Sequence, residues 1–385
     1  MIYLTMVLIT IMIEIFLIFL AFIFLMPIIN NNIVQKQFSD NIGHIKTIDG
    51  LRGYLAMGVF IHHYFITYYW HVNGEWIRPP SDLLNNIGQS SVAVFFLITG
   101  YLFFRKIHQH KFEIKKFIVK RFLRLAPLYY FVVLIMILII FYKNGFNLNV
   151  DIQLFFKQIF KWLLFVRGSL NDYHDVYRIT ASVTWTLPYE WFFYLCLPII
   201  FYLNKIRYIM IVLGFYLLYR FLYPTSISFF GLTTITSKFF ILFYLGYIIN
   251  ILEYNKYIKY INFNKWYFSI ASLIILIYIL LNFKTSYGNI QFLGLSIFFA
   301  MIVYGNTIFG LLTLKYSRII GEISYSIYLT HGLILYILFK ILIDFNDIKS
   351  IYIYLLPLIS MIVVILSIGT YLIIERPMIN KGKNL

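Results

Sequence analysis

Ile48-Asp49-Gly50-Leu51-Arg52-Gly53-Tyr54, running on into Gly58-Val59-Phe60-Ile61-His62-His63-Tyr64, is the stretch whose reading decides the fold. It reads as an apolar helix with an arginine at one end and a histidine near its middle. Arg52 and His63 are eleven residues apart. At about 100° per residue that brings both side chains to nearly the same face. At about 1.5 Å per residue they lie roughly 16 Å apart along the axis. With Arg52 at the water boundary, His63 sits near the middle of a hydrocarbon layer about 30 Å thick. An ionisable residue at that depth is costly and by default marks function.

Working outward, the 385 residues are 61% hydrophobic and only 12% charged, which excludes an ordinary soluble domain. Apolar runs of about 20 residues recur along the whole length, as in a polytopic helical membrane protein. The net charge of +17 would suit a nucleic-acid partner. The basic residues, however, fall in short loops on alternate sides of the apolar runs, as the positive-inside bias produces, so nucleic acid is not expected. Cys196 is the only cysteine and lies inside an apolar run, so neither an intrachain disulfide nor a cysteine-based metal site is expected.

Residues 1–29 read as one extra N-terminal transmembrane helix, uncleaved and interrupted only by Glu14, whose expected role is packing. Residues 30–44 form a polar cytoplasmic connector, 45–379 a ten-helix membrane domain, and 380–385 a cytoplasmic tail. The ten predicted spans fall at 52–71, 88–104, 126–142, 184–203, 206–222, 237–252, 266–282, 291–312, 323–343 and 351–373. Placing the connector in the cytoplasm puts 21 Lys and Arg on the inner side and 11 on the outer. That bias predicts a multi-pass protein of the cell membrane with its C-terminus in the cytoplasm and Met1 outside. The expected fold class is therefore all-α, a polytopic bundle.

Two loops stand out. The inner one, 105–125, carries eight basic residues, Lys111, Lys115 and Lys116 among them, and one acid, Glu113. It ends in Lys120-Arg121-Phe122-Leu123-Arg124. The outer one, 143–183, is long for a compact membrane domain. Within it Ile152, Phe155, Phe156, Ile159, Phe160 and Leu163 recur at helical spacing, with Asp151, Gln153, Lys157, Gln158 and Lys161 between them. This predicts an amphipathic helix lying in the outer interface, either as a lid over a substrate or as a plain anchor.

Further polar groups interrupt the apolar runs. His62 and His63 point about 100° apart, and phase with Arg52 selects His63. Asp49 is placed to pair with Arg52, and Gly50, Gly53 and Gly58 allow close approach of other helices or a ligand. Glu190 lies roughly 9 Å below the outer end of its span, at a depth similar to His63. A carboxylate and an imidazole at one depth can form an orienting pair or share a proton path. Ser324, Tyr328 and His331 share one side of another helix. Arg121 and Arg124 share a face at the inner end of a span, where a guanidinium pair can hold phosphate. Anionic lipid and topology explain most of the remaining basic loop.

Six ordered motifs resemble acyltransferase family 3, the membrane O-acyltransferases that modify bacterial surface polysaccharides. Asp49 to Gly53 followed by His63 is similar to the family's first-helix motif, and Ser91 to Gly100 to its second helix. Arg121 and Arg124, then Pro127 and Tyr129-Tyr130, resemble its inner-loop R-x-x-R segment. Thr184-Trp185 through Glu190 to Tyr194 resembles the outer T-W-S-L-x-x-E stretch. Gly321 to His331 resembles G-x-x-S-Y-S-x-Y-L-x-H, and Glu375-Arg376-Pro377 the terminal E-R-P. Trp191 stands where a second acid is common, Thr99 where serine is usual, and Gly332 where a tryptophan often follows the histidine.

The resemblance implies an O-acetyltransferase that uses cytoplasmic acetyl-CoA, or another acyl-CoA, as donor substrate, with no permanently bound cofactor and no metal. It implies an acceptor hydroxyl on a cell-surface or lipid-linked glycan reached from the outer side. Arg52, Arg121 and Arg124 are the expected phosphate ligands. His63, Glu190 and Asp49 are the expected catalytic set, with His63 either taking the hydroxyl proton or carrying the acyl group. Trp185, Tyr328 and His331 are the expected acceptor-side residues. Expected partners are acyl-CoA, the hydroxyl acceptor and the lipid bilayer, and a homo-oligomer is compatible with the composition. A carrier or flippase for a lipid-linked glycan, or an acyltransferase acting on a lipid or small molecule, would use the same intramembrane polar residues.

Overall fold

The computed structural model describes residues 2–38, 45–108, 113–203, 207–229 and 233–384. The architecture is all-α, that of a polytopic membrane helical bundle, with one short β-hairpin. The principal helices are α1 (Ile2–Ile29), α2 (Lys46–Asn73), α3 (Asp82–His108), α4 (Ile114–Lys143) and α5 (Ile152–Leu163). They continue with α6 (Leu187–Leu203), α7 (Arg207–Leu222), α8 (Phe240–Glu253), α9 (Trp266–Asn282) and α10 (Asn289–Val303). The last are α11 (Lys315–Glu322), α12 (Ser324–Ile337), α13 (Leu356–Thr370) and α14 (Arg376–Lys383). Strands β1 (Ser226–Phe229) and β2 (Thr233–Thr236) pair antiparallel between α7 and α8.

Among the described residues, six helical stretches are long and apolar enough to cross a membrane: Thr10–Ile29, Asp82–His108, Ile114–Lys143, Val183–Leu203, Ser324–Leu342 and Tyr352–Lys383. Tyr208–Leu222, Trp266–Asn282 and Asn289–Val303 are apolar but shorter. Helix α2 has the length, 28 residues, but Lys46, Asp49, Arg52 and three histidines dilute its apolar character. The expected span 291–312 stops as a helix at Val303. The chain turns there through Gly305, at φ 116, and Asn306, whose Oδ1 accepts from the Ile308 N–H at 2.9 Å. An apolar run alone does not reveal such a turn, nor the hairpin beyond α7.

The chain falls into two compact units. The first comprises Met1–Ile98, Ile251–Tyr328 and Ile337–Gly369. Here α2 packs on α11 through missing side chains. A Cβ at Gly53 would lie 2.8 Å from the Gly321 nitrogen and 2.9 Å from the Ser317 carbonyl oxygen. A Cβ at Gly50 would run into the Leu312 carbonyl, and one at Gly321 into the Asp49 carbonyl. Small residues thus bring two backbones together where lipid supplies no hydrophobic drive between helices. Helix α1 docks on the same unit by a stripe of Glu14, Leu17, Ala21, Leu25 and Ile29, all buried. The Ser81 hydroxyl donates to Glu14 Oε2 at 2.7 Å, and the Tyr316 hydroxyl to the Phe22 carbonyl at 2.9 Å. Glu14 therefore has the packing role expected of it.

The second unit comprises Thr99–Asn250, Leu329–Tyr336 and Thr370–Leu385. Helix α14 lies on the N-terminal part of α4, with a Cβ at Gly382 falling 3.6 Å from Leu123 Cδ1 and 3.7 Å from Lys120 Cγ. Helix α5 forms where expected, with Asp151 Oδ2 accepting from the Gln153 N–H at 2.9 Å to cap it. It packs along α4. Phe155 meets Phe141 at 5.5 Å between ring centroids. One end later, the Tyr129 hydroxyl donates to the Trp162 carbonyl at 2.7 Å and that of Tyr130 to Leu163 at 3.2 Å. Tyr129 precedes Lys143 by roughly 21 Å of helix. The segment after α4 therefore descends along α4 instead of lying flat, because two tyrosine hydroxyls complete the carbonyls at its lower end.

Candidate functional site

Within the first unit, α2 carries Asp49, Arg52 and His63 as one continuous helix. Arg52 Nη2 donates to Ser324 Oγ at 2.9 Å, which orients the guanidinium on the first turn of α12. The Tyr54 and Ser317 hydroxyls lie 3.0 Å apart just beyond it. Asp49 sets its own carbonyl against Gly321. Tyr328, one turn along α12 from Ser324, is buried with its ring 6.1 Å from Phe95. A surface cleft of about 560 Å³ lies at the C-terminal end of α2, lined by Tyr69, Asn73, Ile77, Arg78, Pro79 and Pro80. It contains none of the expected residues.

The two histidines are used differently. His62 Nδ1 lies 3.0 Å from the Leu84 carbonyl, and a Cβ at Gly88 would run into its ring. His62 is therefore spent on seating α2 against α3. His63 Nδ1 lies 3.0 Å from the Val59 carbonyl. A carbonyl only accepts, so Nδ1 carries the hydrogen and Nε2 bears the lone pair. The two rings stand 5.0 Å apart at 61°.

Within the second unit, Arg121, Arg124 and Glu190 come together. The Arg121 guanidinium lies over Phe103 at 4.8 Å and Phe117 at 5.8 Å. Those rings flank Tyr194 at 5.2 and 5.8 Å. The Tyr194 hydroxyl donates to Glu190 Oε2 at 2.6 Å, and the charges of Glu190, Arg121 and Arg124 all act on it. Sequence depth had set Glu190 with the outer groups and Arg121 with the inner ones. The return of α5 along α4 and the contacts of Tyr194 bring them into one cluster. The charges of Arg121, Arg124 and Lys120 also act on Lys106 of α3, so four cations share this end. Glu113 is 2.9 Å from Lys116 Nζ. Lys111 lies outside the described residues.

Trp185 packs edge-on to Tyr189 at 5.6 Å and against Phe239 at 5.3 Å. His331, on α12, is fully buried. A Cβ on the next residue, Gly332, would collide with the backbone of Thr180 and Ala181. Gly332 thus admits the Thr180–Ala181 backbone.

Sequence reasoning missed Ser324 as the partner of Arg52, since the two are far apart in the chain and only packing joins them. It also passed over Tyr194, although a tyrosine one turn after Glu190 is a legible hydrogen-bond partner.

A family model described as an acyltransferase domain matches residues 45–373. Nothing among curated proteins or solved structures matches the chain.

Proposed function

Because a match across 45–373 takes in most of the chain, the chain belongs to acyltransferase family 3 and is a membrane acyltransferase, and on that premise we propose that it moves an acetyl group from cytoplasmic acetyl-CoA to a hydroxyl of a cell-surface or lipid-linked glycan on the outer side. The observation that carries this reading is the contact of His63 Nδ1 with the Val59 carbonyl. The two lie 3.0 Å apart, so Nε2 is the basic nitrogen, on the helical face that also bears Arg52.

In the reaction, the acceptor oxygen attacks the thioester carbonyl while His63 Nε2 takes its proton. A carbon–oxygen bond forms and the carbon–sulfur bond breaks. The imidazolium then returns the proton to the departing thiolate, so CoA leaves as the thiol and His63 is neutral again. Arg52, turned by Ser324, and the cluster of Arg121, Arg124 and Lys120 supply the charge that the CoA phosphates need. Glu190, ordered by Tyr194, together with Trp185, Tyr328 and His331, would serve the acceptor. The bilayer and the two substrates are the partners this reading requires.

The test is transfer of labelled acetyl from acetyl-CoA to glycan by the purified full-length chain. His63→Ala is expected to lower the rate by about 100-fold or more. Unchanged turnover in that variant would remove the histidine from the reaction and the reading with it.

A further inference from the structure

The cleft at the C-terminal end of α2 is used by no step of the acyl-transfer scheme. Its volume of about 560 Å³ falls within the range common for ligand sites, about 300–1,000 Å³. All of its lining residues belong to the first unit. The backbone sets its walls. Gly74, at φ 76, caps α2 by donating its N–H to the Trp70 carbonyl at 2.9 Å. The chain turns there, so that Ile77 to Pro80 close the cleft with Tyr69 and Asn73. Pro79 and Pro80 have fixed φ, and each holds the residue before it extended. The cleft is therefore stiff before anything enters it, which lowers the ordering cost of binding.

Its polar groups are open to a ligand. Among the described residues, the Tyr69 hydroxyl and the Asn73 side-chain amide make no hydrogen bond. Arg78 spends Nη1 on the Lys284 carbonyl at 3.2 Å, an oxygen that Asn85 Nδ2 also reaches at 3.1 Å. That bond orients the guanidinium and leaves the rest of its donors unused among the described residues. Asn73 and Arg78 are exposed and Tyr69 is half-buried. The Tyr69 ring stands edge-on to Tyr68 at 5.2 Å, which fixes its plane.

Charge and chemistry say what fits. Arg78 is the one charged group among the lining residues, and the charge of Glu14 acts on Tyr69. Glu14 is held at the cleft's edge by Ser81, the residue after Pro80, whose hydroxyl donates to Oε2 at 2.7 Å. An anion would meet the acid as well as the guanidinium, so charge does not select one. An uncharged polyol suits the set better. The amide both donates and accepts, the phenol does the same, and the guanidinium donates, so neighbouring hydroxyls can be met in pairs. The tyrosine ring and the two prolines offer flat apolar surface for the C–H face of a sugar. Tyr69 follows His63 by six residues and Asn73 by ten, or about 9 and 15 Å along α2. One sugar unit cannot occupy the cleft and also reach His63.

We infer that the cleft of Tyr69, Asn73 and Arg78 binds an uncharged sugar unit of the acceptor glycan, at a distance from the unit that is acylated, so that the enzyme favours oligomeric acceptors. In the proposed orientation this end of α2 faces outside, the side on which the acceptor arrives. The inference deepens the acyl-transfer reading and rests on it for the fate of the bound glycan.

The test uses the full-length chain in nanodiscs, without CoA, and reads binding by saturation-transfer NMR titration. The probes are cellotetraose, maltotetraose, mannotetraose and chitotetraose, with glycerol 1-phosphate as the anionic comparison. At least one tetrasaccharide is expected to bind wild type. Asn73→Ala and Arg78→Gln should each weaken it by about fivefold or more, and Tyr69→Phe by about threefold. Glu75→Gln, on the same turn but outside the cleft, should leave it unchanged. Failure of every tetrasaccharide to bind, equal binding by wild type and the three cleft variants, or tighter binding of glycerol 1-phosphate than of any sugar overturns the inference. With a glycan that accepts acetyl, the same variants should raise its KM by a similar factor with kcat nearly unchanged. An unchanged KM overturns the acceptor role. Should wild type bind a tetrasaccharide through these residues and yet turn over no acetyl-CoA with any acceptor, it is the acyl-transfer reading that fails, and the sugar cleft stands.

Discussion

Helix α2 and the outer segment between α4 and α6 both carry residues assigned to the site, yet they hold them by opposite means. Helix α2 is regular throughout and ends in a glycine cap at Gly74, φ 76. Its close contacts to α11 are made by removing side chains at Gly50, Gly53 and Gly321. The outer segment contains Phe146, Phe165, Asn171, Asp172, Ala181 and Ser182, all in the left-handed region. It is tied by polar side chains instead. Asn171, fully buried, accepts from the Asn149 N–H at 2.7 Å and donates to the Asn147 carbonyl at 2.9 Å. The Gln158 side chain accepts from the Asn171 N–H at 2.9 Å. The first region places its groups through helical geometry, which repeats. The second places them through individual hydrogen bonds that outweigh backbone strain.

The comparison can be broken most forcefully at the glycine seam. Gly321→Ala sets a Cβ against the Asp49 carbonyl, and neither backbone can retreat without unseating α2. A loss of about 3 kcal/mol is expected, read as a lowered unfolding midpoint in detergent. A midpoint unchanged by this substitution would mean that α2 and α11 are not closely apposed.

The outer segment should yield by a different mechanism and to a smaller degree. Asn171→Ala leaves the Asn149 N–H and the Asn147 carbonyl without their partner, at a cost of about 2 kcal/mol. The loss is expected as faster amide exchange and proteolysis confined to residues 144–186, with the exchange of α2 unaffected. Uniform destabilisation of the whole chain would contradict the independence of the two regions.

The smallest effect is expected at Ala181. Glycine adopts φ 47 without the Cβ penalty, so Ala181→Gly should stabilise by less than about 1 kcal/mol after its greater unfolded-state freedom is counted. A clear drop in the midpoint would show that the alanine methyl, and not the backbone shape, is what matters at that position.

Much of the first region was legible. The phase of Arg52 and His63, the glycines of the seam and the stripe of Ser324, Tyr328 and His331 all follow from one turn of 3.6 residues. Glu14 could be read as a packing residue because a lone acid in an apolar helix must find a donor. The second region was legible only in its parts. The amphipathic pattern of 152–163 predicted a helix, but periodicity carries no direction, and the Tyr129 and Tyr130 hydroxyls that draw it inward are more than 30 residues away in the chain. Glu190 was singled out for its charge, yet its partnership with the Arg121 end depended on that descent.

The amino-acid order by itself determined the all-α membrane class, the family, the helix that carries the arginine and the histidine, and the basic N-terminal part of α4. These rest on composition, local periodicity and short motifs, all written within a few turns of one another. Only the tertiary structure decided that Ser324 orients Arg52, that His62 is committed to α3, and that the Thr180–Ala181 backbone lies against Gly332. Each of these is a contact between residues distant in the chain, chosen by which donor lies within reach of which acceptor once the helices have packed.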